Sequence, residues 1–113
     1  MKKIEAIFRH LMLENVKNAL DGIGVHGMTV TDVKGAGKQR GYTEVYRGSK
    51  LTINLRPKVK VEVIVSDNKV GEVVDTIADT ARTGEIGDGK IFISDIAESV
   101  AIRTGIRGEQ AIV

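Results

Sequence analysis

Lys58-Val59-Lys60-Val61-Glu62-Val63-Ile64-Val65 places valine at every second position. A period of two is the mark of a strand with one buried face, so Val59, Val61, Val63 and Val65 are predicted to point into a core. Directly after it the period changes. Val70, Val73, Val74, Ile77, Ala78 and Ala81 recur at helical spacing, with Asp67 as the expected N-cap. Next comes Thr83-Gly84-Glu85-Ile86-Gly87-Asp88-Gly89-Lys90, and then a β-prone run that predicts a strand from about Lys90 to Ser94.

Reading backwards from Lys58, the first unit has the same grammar. Residues Lys2 to Phe8 alternate, with Ile4, Ala6 and Phe8 on one face and Lys3, Glu5 and Ile7 on the other. Leu13, Val16, Leu20 and Ile23 form a helical stripe stopped by Gly22 and Gly24. Met28 to Val33 is rich in β-branched residues and reads as a strand ending at Gly35 and Gly37. The order β-α-β-β-α-β predicts an α+β fold of the ferredoxin-like kind, a sandwich of two helices on one face of a four-stranded antiparallel sheet. The other face then needs cover, with Ile7, Ile64, Ile91 and Ile93 available for it, and a symmetric oligomer is the expected solution.

Between the second and third predicted strands, residues 37–57 form a polar stretch with three glycines, the only proline, and the β-prone patch Leu51-Thr52-Ile53. A loop of about 20 residues in a compact domain usually serves a function. The Thr83–Lys90 segment has the composition of a phosphate-binding loop: glycines let backbone N–H groups approach an anion, and a lysine adds a mobile positive charge. A plain turn between helix and strand has a similar composition, so the segment alone leaves both readings open.

Composition narrows the function classes. A chain of 113 residues is expected to be one domain, spanning 1–113. It has no cysteine, which excludes disulfides, thiolate zinc sites and thiol catalysis, and its two histidines are far apart in sequence. The 17 basic and 15 acidic residues are well mixed, and only two Phe, two Tyr and no Trp are present, so no nucleic-acid partner is expected. No apolar run approaches the length of a membrane span, so a soluble, cytoplasmic protein without direct membrane insertion is expected.

Three motifs together resemble the P-II nitrogen-regulatory signal proteins. They are Thr83-Gly84-Glu85-Ile86-Gly87-Asp88-Gly89-Lys90-Ile91-Phe92-Ile93, Gly41-Tyr42-Thr43-Glu44-Val45-Tyr46-Arg47-Gly48, and Ile102-Arg103-Thr104-Gly105. The first matches the family's signature, the second its mobile T-loop (about 37–57 here), and the third its C-terminal strand. The resemblance implies a homotrimer that binds ATP or ADP in clefts between subunits. It also implies signalling through the T-loop to a membrane transporter or a metabolic enzyme, with recruitment to the membrane when the target is a transporter.

Carried over by residue, the resemblance puts Gly87, Asp88, Gly89 and Lys90 around the phosphates, with Arg103 reaching them from a neighbouring subunit. Gly27, Met28, Thr29 and Ile64 would line the adenine side, and Gly35, Gly37 and Lys38 would close over the nucleotide. Gln39 would help hold an Mg2+ ion bridging ATP and 2-oxoglutarate, and Lys58 and Gly87 would receive that acid. An amide oxygen suits a hard cation and an ammonium suits a dicarboxylate. Tyr42, Tyr46, Arg47 and Ser49 would meet the partner protein.

This chain departs from the family pattern in several places. Leu51 stands where relatives carry the tyrosine that is uridylylated, and it has no hydroxyl to modify. Ala101 replaces a frequent phosphate-gripping arginine, Lys38 replaces another arginine, and Arg9-His10-Leu11-Met12 replaces a common Pro-Phe exit from the first strand. Losing bidentate arginine forks predicts an altered ATP-versus-ADP preference. Two regulatory readings therefore stay open: a sensor of ATP, ADP and 2-oxoglutarate, and a sensor of ATP and ADP alone that controls a transporter unrelated to ammonium. A third reading, a small nucleotide hydrolase with Asp88 as base and Lys90 as stabiliser, lacks a visible acid or second carboxylate. The expectation is a regulator, not an enzyme, with at most weak ATP hydrolysis.

Overall fold

The structure is a computed structural model that describes residues 1–36 and 55–113 in full and, between them, the backbone of Tyr42–Tyr46 and Ser49–Ile53. The chain runs β1 (Lys2–Arg9), α1 (Leu13–Gly22), β2 (Thr29–Gly35), β3 (Tyr42–Tyr46), β4 (Ser49–Ile53), β5 (Arg56–Val65), α2 (Val70–Ala81) and β6 (Gly89–Asp95). Four strands form one antiparallel sheet in the order β2-β5-β1-β6, with two helices packed against it: an α+β fold of ferredoxin-like βαββαβ arrangement.

The two most regular alternations in the sequence become the two central strands. They pair from Lys2 opposite Val65 through to Arg9 opposite Lys58. This register stacks Ile4, Ala6 and Phe8 beside Val63, Val61 and Val59, all buried. Val16 and Leu20 of α1, with Val73, Ile77 and Ala81 of α2, close the core from above. Helix α1 stops where expected: Gly24 adopts φ +85°, and its N–H donates to the Asp21 carbonyl. Gly71 in α2 has open space where a Cβ would stand, so Gly71→Ala should raise stability by about 0.5–1 kcal/mol, read from thermal denaturation.

Four expectations are corrected. Asp67 does not cap α2. It opens a short 3-10 turn, Asp67–Lys69, and its carboxylate lies 3.0 Å from the Met1 amino group, a charged partner that outcompetes a backbone cap. That hydrogen bond and that charge hold Asp67 below the usual carboxylate range.

Ile91 and Ile93 do not join the open face. Gly89 pairs with Phe8, which sets Ile91 opposite Ala6 and Ile93 opposite Ile4 on the helix-covered side. Phe92, opposite Glu5, takes the open side with Ile7 and Ile64 and is half exposed. The middle of that face is also charged: Lys3 lies 3.7 Å from Glu62, and Lys60 lies 3.9 Å from the same carboxylate.

The stretch 37–57 is not all loop, because β3 and β4 pair as a separate two-stranded sheet, with Tyr42 opposite Ile53 and Tyr46 opposite Ser49. The patch at Leu51 lies in β4, and β5 begins at Arg56, two residues before the alternation shows it. Pro57 fits because it sits next to the strand's first residue. Finally, Ile102 to Gly105 is a turn, not a strand. It is held by Ala101 N–H to the Ile106 carbonyl at 2.8 Å and by a bridge between Val100 and Arg107.

Candidate functional site

The glycine-rich loop between α2 and β6 is built around one carboxylate. Asp88 accepts hydrogen bonds from the Thr83 N–H at 2.8 Å and the Gly84 N–H at 2.9 Å. The Thr83 hydroxyl also donates to it, and so does Arg9 Nε at 3.3 Å. These donors hold the Asp88 carboxyl well below the usual carboxylate range, the Thr83 hydroxyl contributing most. The carboxylate that a hydrolase would need as its general base is thus taken up by four donors within the fold.

Gly84, Gly87 and Gly89 all have positive φ, at +89°, +104° and +103°. Only glycine adopts that backbone without strain, so the loop can curl tightly around Asp88. Its far side is tied to the ends of two strands. Arg9, the last residue of β1, donates through Nη2 to the Ile86 carbonyl at 2.8 Å, and Lys58 in β5 donates through Nζ to the Gly87 carbonyl at 2.5 Å.

Lys58 is the one charged residue among those described that is buried, with 8 % of its surface exposed. Burial pushes its pKa down, the nearby Arg9 charge pushes it further, the Asp88 carboxylate opposes this, and Arg56 adds a smaller push. Gly35 makes room for its stem: a Cβ there would stand 3.2 Å from Lys58 Cγ. Arg9 and Lys58 thus gather around a single anion that the loop has already used, and Arg56 stands close enough to Lys58 to act on its charge.

The expected site residues distribute as follows. Gly87, Asp88, Gly89, Lys58 and Gly35 come together at one end of the sheet. Lys90 follows on the open face opposite Ile7 and is exposed. Thr29 and Ile64 share that face, Thr29 opposite Glu62 and Ile64 opposite Lys3. Gly27 is exposed just before β2, whereas Met28 is partly buried and packs against the core. Arg103 is exposed on the C-terminal turn.

Gly37, Lys38, Gln39 and Arg47 lie outside the described residues, and of Tyr42, Tyr46, Ser49 and Leu51 only the backbone is described. Among the described residues no group of His, Asp and Glu is placed to hold a metal ion. No helix there is long and apolar enough to cross a membrane.

Sequence reading placed Thr83 in the loop without a role for its hydroxyl, and it missed Arg9 and Arg56 as parts of this cluster. Arg9 carried a signal, being a cation at the end of the strand that neighbours the loop. Nothing in the sequence pairs it with a residue 79 positions away.

Two clefts flank the cluster. One, of about 280 Å3, lies between α2, β1 and β6, walled by Phe8, Ile77, Ala81 and Ile91 and rimmed by Arg82, Asp88 and Lys90. The other, of about 250 Å3, is bounded by His10, Asp32, Lys34, Pro57 and Lys58.

Comparison with known proteins agrees over nearly the whole chain. The family model for nitrogen regulatory protein P-II matches residues 1–106. The nitrogen regulatory protein P-II 2 of Methanothermobacter thermautotrophicus is 56 % identical over 112 residues, covering 99 % of this chain and 97 % of that protein. The nitrogen regulatory protein P-II of Klebsiella oxytoca and the P-II 1 protein of Escherichia coli K12 are each 52 % identical over 112 residues. Both alignments take in 99 % of this chain and 100 % of the relative. With the ferredoxin-like sheet, the closed glycine loop and this similarity in hand, the chain belongs to the nitrogen regulatory protein P-II family and is a signal-transduction regulator rather than an enzyme.

Proposed function

We propose that this protein is a homotrimeric sensor that binds ATP or ADP at the Thr83–Lys90 loop and passes the ligand state through residues 37–57 to a membrane transporter or an enzyme of nitrogen metabolism. The observation that carries the reading is the loop itself: three positive-φ glycines curled on Asp88, with Arg9 and Lys58 bonded to its carbonyls and Lys90 at its exit. A glycine loop backed by cations suits phosphate oxygens, which accept from backbone N–H groups and from ammonium alike.

Thr29 and Ile64, which share the open face, would offer a base an apolar side chain and a hydroxyl. Exposed apolar residues on β6 and the C-terminal turn, Phe92, Val100 and Ile102 among them, support burial against further copies of the chain. A neighbour's Arg103 would then reach the phosphates. Mg2+ would arrive with ATP and be held with the help of Gln39, neutralising phosphate charge. Ligand binding would shift the population of conformations in the 37–57 segment by differential affinity. The naming of the related proteins as nitrogen regulatory proteins supports nitrogen status as the signal.

2-Oxoglutarate is the expected second ligand. Support comes from the buried Lys58 ammonium crowded by Arg9 and Arg56, since like charges held together gain from an arriving carboxylate. A second reading, a sensor of ATP and ADP alone, is favoured by a different feature of the same residues. Lys58 already donates to the Gly87 carbonyl, and Arg9 is shared between Ile86 and Asp88, so the acid must displace existing bonds.

Calorimetric titration with ATP, then ADP, then 2-oxoglutarate in MgATP separates the two. Heat from the acid only when MgATP is present supports the first reading; nucleotide heat without any response to the acid selects the second. Lys90→Ala and Arg103→Ala should each weaken nucleotide binding about tenfold while leaving the oligomer intact. Unchanged affinity in both would sink the assignment of the phosphate cradle.

A further inference from the structure

We infer that Asp88 is a positioning residue of the nucleotide loop, holding Thr83 to Gly89 in shape through the Thr83 hydroxyl and Arg9 without its carboxylate meeting the nucleotide. The inference rests on the nucleotide reading above. An aspartate beside a phosphate site is, on charge alone, a liability, because it repels the ligand. Its geometry supplies the reason for its presence. One carboxylate oxygen takes the Thr83 and Gly84 N–H groups, and the other takes the Thr83 hydroxyl and Arg9 Nε. Two oxygens offer about four acceptor sites, and four donors fill them.

The bonds span the loop from its first residues to its last, so they fix how its backbone closes. The Thr83 hydroxyl has a second duty. It accepts from the Glu85 N–H at 3.2 Å, so a single oxygen links both halves of the turn. Arg9 extends the clamp to β1, since the same guanidinium donates to the Ile86 carbonyl.

The test uses the sign of the effect. In Asp88→Asn a negative charge disappears, and electrostatics alone predicts tighter ATP binding. Positioning predicts the reverse, because an amide has only one acceptor oxygen and turns an NH2 group toward donors. ATP and ADP affinity, measured by calorimetry on the full chain, should fall about tenfold or more in Asp88→Asn. Thr83→Val, which changes no charge, should fall by a similar factor, and Thr83→Ser should restore binding to within about threefold of wild type. Melting temperature and oligomeric state are recorded for each variant.

If Asp88→Asn fails to fold, the Thr83 pair decides alone. Binding by Asp88→Asn as tight as wild type or tighter overturns the inference, as does a loss in Thr83→Val that serine does not rescue. Wild-type protein that binds neither ATP nor ADP would instead overturn the nucleotide reading, and this inference with it.

Discussion

Gly89→Ala is expected to destabilise the protein by more than about 3 kcal/mol. Gly89 opens β6 opposite Phe8 with φ at +103°. A Cβ there would fall 1.8 Å from the Ile7 carbonyl oxygen, 2.8 Å from the Ile7 carbonyl carbon and 2.9 Å from Phe8 Cα. All three are backbone atoms of a central strand, so no side-chain rotation can relieve the overlap. The start of β6 must lift from β1, which opens the core beside buried Phe8 and drags the Thr83–Lys90 loop with it.

Gly84→Ala is the control. Its φ is +89°, yet nothing stands within 4 Å of the added carbon, so only backbone strain of about 1–2 kcal/mol is expected. Urea denaturation of both variants measures the difference. Equal losses would mean that Gly89 is needed for its dihedral angle and not for the close approach.

The Gly89 contact also shows where sequence reading reaches its limit. Alternation at Val59 to Val65 and at Ile4 to Phe8 told which residues of each strand are buried, because each of those strands has one apolar face and one mostly charged face. It could not do so for β6, where Ile91, Phe92 and Ile93 are apolar on both faces. There the register against β1 decides, and the Gly89–Phe8 pairing sets it. The helices were legible from Val16 and Leu20, and from Val73, Ile77 and Ala81, because four-residue spacing has one structural meaning. The β3–β4 pairing was hidden because charged and glycine residues interrupt it, leaving only Leu51 to Ile53 as a clue. In the site, the glycines announced a tight loop, but what closes it did not show. The Asp88 partners come from Thr83, five residues back, and from Arg9, 79 residues back, and only folding brings the second of these near.

Lys58→Met is expected to leave the fold within about 1 kcal/mol of wild type while reducing 2-oxoglutarate binding in MgATP about a hundredfold, with ADP affinity unchanged. Two opposing effects keep the stability change small. Methionine loses the hydrogen bond to the Gly87 carbonyl, and it also removes a buried charge pressed by Arg9 and Arg56. The ligand effect has no such compensation, because a neutral thioether offers a carboxylate neither a charge nor a hydrogen-bond donor. The stability difference between the two proteins should also depend on pH. The Lys58 pKa is lowered in the folded protein, by burial first and the Arg9 charge next, from an ordinary value of 10.5. Between its folded pKa and 10.5 the unfolded chain therefore holds a proton that the folded chain has released, so rising pH favours folding of the wild type. Methionine has no proton to exchange. Wild type should thus gain stability relative to Lys58→Met as pH climbs from neutral toward 10.5, measured by urea midpoints on both proteins. A difference flat in pH would mean that Lys58 keeps its ordinary basicity and that burial and the arginines do not press on it. A wild type that gives no heat with the acid, whatever the variant does, selects the sensor of ATP and ADP alone and leaves Lys58 as the tie between β5 and the Thr83–Lys90 loop.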